Sequence, residues 1–235
     1  MIHAIVYDAV GTLIHVQPTV AAIYQDVGRR FGSQLGSDEI QKRFPIAFAK
    51  QDRFDSETSW RTSEVREQER WCAIVGHVLD DVSDSVGCFD ELFKAFGMPS
   101  AWRCDPDGAN LLANLHQRGI RQALASNYDS RLRAVLAPMP IAPYLEAIVI
   151  SSEIGWRKPA PEFFAHVATT LQLPPEAILF VGDDRNNDYE GARRAGMQGL
   201  LLDPRKKHLE LGADRMERLG DLIEAFSARL ALCGG

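Results

Sequence analysis

The residues best suited to chemistry in this chain stand at the ends of apolar runs. The first run ends at Asp8, and Gly11 and Thr12 follow within four residues. If this run is a buried strand, it carries the Asp8 carboxylate to the carboxyl edge of a sheet, where open α/β folds bind ligands. Gly11 permits a tight turn, and Thr12 supplies a hydroxyl. An acid placed there can be a nucleophile or a metal ligand, although a solvated acid at a strand end fits as well.

Further residues of this kind occur later in the chain. Ser126, followed by Asn127, ends a second apolar run, and Asp183 comes at the end of a third. Lys158 precedes a predicted helix, and Asp188 follows Asp183 by five positions. Carboxylates that meet at one sheet edge suit Mg²⁺, whereas an ammonium group and a hydroxyl suit an anion such as phosphate. Each residue alone could cap a turn or face solvent, but their occurrence together favours a functional site.

The elements that must position these residues alternate from residue 100 onward. We predict helices over residues 106–118, 130–136, 161–171, 189–195 and 221–232, and strands over 120–125, 147–150, 178–181 and 199–202. Strands that alternate with helices at this spacing indicate a parallel sheet with helices on both faces.

The stretch between the first strand and residue 100 has a different pattern. Its apolar residues recur at helical spacing, and we find no convincing strand in it. One predicted helix starts at Ser37, with Pro45 expected to bend or divide it, and a polar loop is predicted over residues 52–59. We therefore predict two domains, an α/β core of residues 1–15 and 98–235 and an inserted helical domain of residues 16–97.

Composition excludes several classes of function. The chain has 235 residues, of which 46% are hydrophobic and 25% charged, and a net charge of -6, which argues against nucleic acid as a partner. No apolar stretch approaches the length that crosses a membrane. The four cysteines form no CxxC pair, and the first residues run directly into a strand without a signal peptide. We therefore expect reduced thiols and a cytoplasmic location.

The motifs in this order resemble those of the haloacid dehalogenase-like hydrolases. They comprise the stretch from Asp8 to Thr12, Ser126, Lys158, and the run from Gly182 to Asp188. The resemblance covers nearly the whole chain, since the helical insertion is similar to the cap domain of that superfamily. It implies a Rossmann-like α/β core and Mg²⁺-dependent hydrolysis of a small phosphorylated metabolite through an aspartyl-phosphate.

The resemblance also implies a role for each motif residue. Asp8 would attack phosphorus and bind Mg²⁺ through its other oxygen, together with the backbone carbonyl of Val10 and the carboxylate of Asp183. Asp188 would complete the metal site directly or through water, a task that Asp184 could share.

The phosphoryl group would be held by the other two motifs. Ser126 and Lys158 would bind its oxygens, with Asn127 next to them, and Lys158 would also restrain Asp8 electrostatically. Thr12 completes the predicted catalytic set. Such positioning and charge stabilisation carry most of phosphoryl-transfer catalysis.

Val10 is the main departure from the phosphatase pattern, which has a second Asp at this position as general acid and base. A phosphatase without this acid could depend on good leaving groups or recruit His15. A phosphonatase would need a Schiff-base lysine from the inserted helices; Lys50 is a candidate, although Lys42 and Lys50 are more typical of surface residues. A haloacid dehalogenase needs no acid, because halide leaves without a proton, and a non-catalytic binding module also stays open.

The fourth motif favours the phosphatase. Dehalogenation needs no metal, so Asp183 and Asp188 would only bring negative charge towards a substrate carboxylate. The complete set of nucleophile, hydroxyl, ammonium and metal acids argues against a binding module. The inserted helices should decide the substrate. Their polar and aromatic candidates are more typical of a salt-bridged helix surface and of packing than of ligand contact; they are Trp60, Arg61, Arg66, Arg70 and Trp71.

Overall fold

The chain folds around a parallel β-sheet, as the strand–helix alternation predicts. A computed structural model describes residues 2–224. Its strands, in chain order, are β1 (Ala4–Tyr7), β2 (Ile14–Val16), β3 (Trp102–Cys104), β4 (Arg121–Ser126), β5 (Ala147–Ile150), β6 (Ile178–Gly182), β7 (Gln198–Leu202) and β8 (Arg215–Met216). Six of them form the main sheet in the order β5-β4-β1-β6-β7-β8, and all neighbours are parallel. The predicted α/β, Rossmann-like class is confirmed.

Both faces of this sheet are covered, which explains why its strands are continuous apolar runs. Alternate side chains of β1 enter two different cores. Ile5 and Tyr7 belong to one hydrophobic cluster, and Ala4 and Val6 belong to another. All four residues of β1 are fully buried, so this strand is the centre of the molecule as well as the support for Asp8.

The helices in chain order are α1 (Val20–Arg30), α2 (Ser37–Glu57), α3 (Glu64–Val78), α4 (Ser85–Phe96), α5 (Gly108–Gln117), α6 (Arg131–Leu136), α7 (Ser151–Ile154), α8 (Pro161–Leu171) and α9 (Gly191–Arg194). The predicted strand 147–150 and helix 161–171 have the predicted bounds, and each of the other three predicted strands differs by one residue at one end or at both. The predicted helix 189–195 is wrong in its start, because a π-helix over Arg185–Glu190 precedes α9. The predicted helix 221–232 lies, from residue 225 onward, outside the described residues.

Helices α1 to α4 make up a segment, residues 20–96, with a hydrophobic cluster of its own. Three of the four begin at a side-chain cap: Thr19 accepts from the Ala22 N–H, Ser63 from Arg66 and Asp84 from Gly87. No helix within residues 2–224 combines the length and the apolar character that a membrane span needs. The extent of a domain over residues 16–97 stays a prediction.

Helix α2 differs from the prediction in two details. It continues through Pro45, so this proline does not divide it, and it includes Asp52 and Asp55, where the sequence predicts a loop. The reason is tertiary: these two acids form ion pairs with Arg70 on α3, at 2.6 Å for Asp52. Polar residues that suggest a loop in the sequence are therefore held in a helix by a partner on the next helix.

A short antiparallel pair, β2 with β3, connects the sheet to the helical segment and was missed in the sequence. Val16 pairs with Trp102, and Ile14 pairs with Cys104. The indole N–H of Trp102 donates to the Phe96 carbonyl at 2.9 Å. The two chain passages between the sheet and the helices therefore run side by side, which fixes the helical segment over the carboxyl edge of β1.

Candidate active site

The residues at three neighbouring strand ends meet in one cavity. Asp8 follows β1, Ser126 ends β4 and Asp183 follows β6. Because β4, β1 and β6 are adjacent and parallel, their carboxyl ends lie at the same edge of the sheet. Lys158 and Asp188 also line this cavity, which has a volume of about 300 Å³. The structure thus brings together residues up to 180 positions apart, as the motif order predicts.

Lys158 is the electrostatic centre of the site. Its Nζ lies 2.6 Å from Asp8 Oδ1 and 2.6 Å from Asp188 Oδ1, and 3.3 Å from the Ala125 carbonyl. Burial would lower the pKa of Lys158, but the charges and hydrogen bonds of Asp188 and Asp8 outweigh it, and the net shift is upward. The ammonium group therefore stays charged and restrains the carboxylate of Asp8.

Three carboxylates lie together beside Lys158. Oxygen atoms of Asp8, Asp183 and Asp188 all lie within 4.8 Å of one another. Asp183 is exposed to the cavity, and its partial withdrawal from water together with the charges of Asp8 and Asp188 raises its pKa. Withdrawal from water also raises the pKa of Asp188 to about 7, although Lys158 opposes the shift. The site therefore carries more negative charge than Lys158 alone neutralises.

This donor set fits a magnesium ion. Mg²⁺ prefers oxygen ligands, and carboxylates are the usual protein ligands beside a substrate phosphate. A divalent cation would relieve the repulsion that raises the pKa values of Asp183 and Asp188. Asp8, Asp183 and Asp188 are the residues that would hold it. The contribution of the Val10 carbonyl stays a prediction.

Two glycines let the acids approach this closely. Gly11 has a φ of 91°, which a residue with a side chain adopts at a steric cost, and a Cβ there would clash with the Asp183 carboxylate. A Cβ at Gly182 would clash with the Asp188 carboxylate in the same way. Both motifs therefore need glycine for space, and Gly11 needs it for its backbone conformation as well.

Asn127 and Asp184 position the site through the backbone. The Asn127 side chain donates to the Lys158 carbonyl at 3.0 Å and accepts from the Lys158 N–H at 2.7 Å. Asp184 accepts from the N–H groups of Asn186 and Asn187 at 2.9 and 2.8 Å. The Asn127 side chain, predicted to bind substrate, therefore holds the backbone of Lys158 in place. Asp184 caps the turn that carries Asp188.

Thr12 lies at the end of the turn after Asp8. It is fully buried, and its hydroxyl has no hydrogen-bond partner among residues 2–224. It is not one of the described residues that line the cavity. A catalytic role for this hydroxyl stays a prediction.

His15 and the lysines of α2 lie away from the cavity that contains Asp8. His15 lies on β2 with Nε2 3.0 Å from Asp105 Oδ2, and it is absent from the described lining of the cavity. Lys42 and Lys50 are exposed on α2 and are equally absent from that lining; Lys50 Nζ lies 3.4 Å from His77 Nδ1. The structure thus gives no support to His15 as the acid or to Lys50 as a Schiff-base lysine, and the interpretation of Lys42 and Lys50 as surface residues is confirmed.

A buried ion network beside Lys158 was not found from the sequence. Arg157 pairs with Glu67 of α3, and its Nε lies 3.6 Å from Asp55 Oδ2. Arg70 of α3 pairs with Asp55 as well, and all four side chains are at most 5% exposed. The only signal in the sequence is that Arg157 is adjacent to Lys158. The network ties the Lys158 loop to the helical segment.

The arginines and tryptophans of the helical segment differ in their burial and in whether they line the cavity. The prediction of a salt-bridged surface is wrong for Arg70, which is only 1% exposed, whereas the half-buried Arg66 pairs with Asp55 at 2.7 Å. Trp71 lines the cavity, unlike Trp60 and Arg61. Arg61 instead stacks on Trp156 of the core at 4.5 Å from the ring centre.

The fold and these motifs define a class of hydrolase. A family model described as haloacid dehalogenase-like hydrolase matches residues 2–196. The chain belongs to this family, and the expectation from its motifs is confirmed.

Individual relatives cover almost the whole chain. The haloacid dehalogenase-like hydrolase domain-containing protein 3 of Bos taurus is 25% identical, over 95% of this chain and 96% of its own length. A phosphoserine phosphatase of Thermus thermophilus is 25% identical, over 94% and 96% respectively. The solved structure of L-2-haloacid dehalogenase from Xanthobacter autotrophicus, with chloropropionic acid covalently bound, shares the fold with a TM-score of 0.76, at 18% identity over 97% of this chain and 99% of that one.

Proposed function

We propose that this hydrolase is a Mg²⁺-dependent phosphatase that acts on a small phosphorylated metabolite through an aspartyl-phosphate on Asp8. The observation that carries this proposal is that the carboxylates of Asp8, Asp183 and Asp188 lie together, and that Lys158 pairs with Asp8 and Asp188. Such a site binds a divalent cation and, through it and Lys158, a phosphoryl group. The phosphoserine phosphatase relative is a further argument for phosphate chemistry.

The residues of the site divide the reaction between them. A carboxylate oxygen of Asp8 attacks phosphorus, and the bond from phosphorus to the leaving oxygen breaks, with its electron pair on that oxygen. Water then attacks the phosphorus of the aspartyl-phosphate and releases inorganic phosphate and the Asp8 carboxylate. Ser126 and Lys158 orient the phosphoryl oxygens, and bound Mg²⁺ would offset their negative charge.

Val10 leaves this sequence of steps without a general acid. Its side chain lines the cavity, where a valine offers no proton to the departing oxygen. The rate should therefore depend on how well the leaving group carries its own negative charge.

Dehalogenation is the second candidate, because Val10 suits a leaving group that needs no proton. Against it stand Asp183 and Asp188, whose charges would repel the carboxylate of a haloacid. The two activities separate in one assay. The phosphatase releases phosphate from phosphate esters only with Mg²⁺, whereas a dehalogenase would release chloride from 2-chloropropionate in EDTA. A binding module would do neither.

The metal site gives the first prediction. Replacing Asp183 with alanine should abolish the binding of Mg²⁺ and phosphate release together. The fold should not suffer, because Asp183 is a repelled carboxylate with a raised pKa and its removal relieves that repulsion. Isothermal titration calorimetry with Mg²⁺ measures the binding, and thermal unfolding in EDTA checks the fold.

Asp184→Asn is the matched control for this substitution. Asp184 is the next residue, but its side chain accepts backbone N–H bonds, which an asparagine oxygen can accept as well. We expect its Mg²⁺ affinity to stay within about threefold of the native value, since a retained cap preserves the turn. Equal Mg²⁺ binding by the native protein and Asp183→Ala would contradict the proposed metal site.

Val10 gives the second prediction. Val10→Asp places a carboxyl group beside the leaving oxygen, so it should raise kcat for alkyl phosphates by about tenfold or more and change aryl phosphates little. Phosphate release from cyclohexyl and phenyl phosphate measures the difference. Val10→Asn, which has the same shape without an acid function, should not raise it. If the native enzyme hydrolysed both esters equally, a general acid other than those considered must exist.

A further inference from the structure

The cavity next to the reacting groups is lined mainly by aromatic and aliphatic side chains. Their rings form an unbroken series from Tyr128, two residues after Ser126, into the helical segment. Neighbouring ring centres are 5.6 to 6.4 Å apart along the series Tyr128, Trp102, Phe96, Tyr24, Phe44 and Trp71. All six rings line the same cavity as Asp8 and Asp183. The part of a substrate that lies beyond its phosphoryl group therefore meets an apolar wall.

The charged side chains of this wall are already paired. Asp52 lies 2.6 Å from Arg70, and Arg131 lies 2.7 Å from Asp129. Glu67 pairs with Arg157. Within each pair the two charges neutralise each other, so this wall offers no unpaired charge to bind a charged group on the substrate.

Size restricts the substrate further. A volume of about 300 Å³ is at the small end for ligand pockets, whose range is roughly 300–1,000 Å³. Such a cavity accommodates about one ring together with a phosphoryl group. Rings of the wall can pack against a substrate ring edge to face, as they pack against each other.

Val10 points to the same kind of substrate by an independent route. Without a general acid, the departing oxygen must carry the negative charge that remains after the bond to phosphorus breaks. A phenolic oxygen does this far better than an alcohol oxygen, because the aromatic ring delocalises the charge. The aromatic wall thus favours an aromatic group by its shape and low polarity. Val10 favours the same group because a phenolic oxygen leaves without a proton.

We propose, on the basis of the phosphatase function above, that the substrate is a phosphate monoester of an uncharged phenol. Asp8 attacks phosphorus, the electron pair of the broken bond leaves with the phenolate, and water takes the phosphoryl group from Asp8. The phenolate then takes up a proton from solvent.

Three esters test this substrate class with the full-length protein and Mg²⁺. Phenyl phosphate has the proposed ring and leaving group. Cyclohexyl phosphate has a ring of similar size on an alcohol oxygen, and 3-carboxyphenyl phosphate has a phenol of similar acidity with an added charge. We expect kcat/KM for phenyl phosphate to exceed that for cyclohexyl phosphate by about a hundredfold, because the site has no general acid to protonate the departing alcohol oxygen. We expect kcat/KM for phenyl phosphate to exceed that for the carboxyphenyl ester by about tenfold, because the apolar wall would have to bury the added carboxylate.

Two phenylalanines on α2 form a matched pair of variants. Phe48 lines the cavity, whereas Phe54 is 49% exposed outside it, and each ring stacks under an arginine, Arg70 and Arg66 respectively. Phe48→Ala should lower kcat/KM for phenyl phosphate by about tenfold, mainly through KM, since apolar contact with the ring is lost. Phe54→Ala should leave it unchanged.

The outcomes separate the substrate class from the phosphatase function. Preference for phenyl phosphate over both other esters, with loss in Phe48→Ala alone, supports the substrate class. Hydrolysis of the carboxyphenyl or the cyclohexyl ester as efficiently as phenyl phosphate overturns it while the phosphatase function stands. Equal effects of Phe48→Ala and Phe54→Ala also overturn it. Failure to release phosphate from any ester contradicts the phosphatase function itself.

Discussion

Asp8→Asn should abolish phosphate release, with a residual rate at least about 10⁴-fold below that of the native enzyme, because an amide oxygen is a poor nucleophile. The asparagine has the same shape and its oxygen can still accept a hydrogen bond from Lys158. The same variant should accumulate no aspartyl-phosphate. Mass spectrometry of acid-quenched enzyme, mixed with phenyl phosphate and Mg²⁺, measures that intermediate directly.

Asp188→Asn is the control that separates the loss of a nucleophile from the loss of a negative charge beside Lys158. Asp188 makes the same contact with Lys158 as Asp8, at 2.6 Å, so its replacement removes an equivalent charge from the same cation. It should lower turnover but still permit the enzyme to gain one phosphoryl group in acid-quenched samples. A phosphorylated Asp8→Asn enzyme, with deamidation excluded by its intact mass, would sink the assignment of Asp8 as nucleophile.

Those parts of the site that depend on local pattern could be predicted from the sequence. Asp8 and Asp183 each follow a strand that is apolar on both faces, and such strands are recognisable without tertiary information. Parallel strands bring their carboxyl ends to one edge, so the meeting of these acids follows from fold class alone. Gly11 and Gly182 are typical of close backbone approach, and both are needed for it.

Those parts that depend on distant partners could not be predicted. Asp52 and Asp55 have the composition of a loop, and only their ion pairs with Arg70 explain why they continue α2. Arg70 itself has neighbours in sequence that suit an exposed helix, yet it is buried. Pairing across 15 or 18 positions leaves no periodic signal in one sequence.

The β2–β3 pair was missed for a related reason. Three residues are too few for an alternating pattern to stand out, and the partners Val16 and Trp102 are separated by the whole helical segment. The same limit applies to the aromatic cavity wall. Its rings come from four helices, from β3 and from the stretch after β4, so each one is indistinguishable in the sequence from ordinary core.

Lys158→Met should abolish activity and also destabilise the fold by about 3–5 kcal/mol, measured by urea unfolding in EDTA at about pH 8. The substitution removes the ammonium group that lies 2.6 Å from both Asp8 and Asp188 and leaves those buried carboxylates without this cation. The loss should be smaller at about pH 5. Burial already raises the pKa of Asp188, and removing Lys158 takes away the charge that opposes this shift. A raised folded-state pKa favours folding below that pKa, and this stability is lost as pH rises through it.

A double variant separates the structural role of Lys158 from its catalytic role. Lys158→Met with Asp188→Asn removes the cation together with one of its two carboxylate partners and leaves Asp8 alone without it, so about half of the lost stability should return at about pH 8. Activity should not return, because no ammonium group remains to hold the phosphoryl oxygens or to restrain Asp8. Lys158→Met as stable as the native protein would show that the two contacts of 2.6 Å contribute nothing net to the fold. Recovery of phosphate release together with stability would mean that Lys158 serves only the fold, and its role in holding the phosphoryl group would then be wrong.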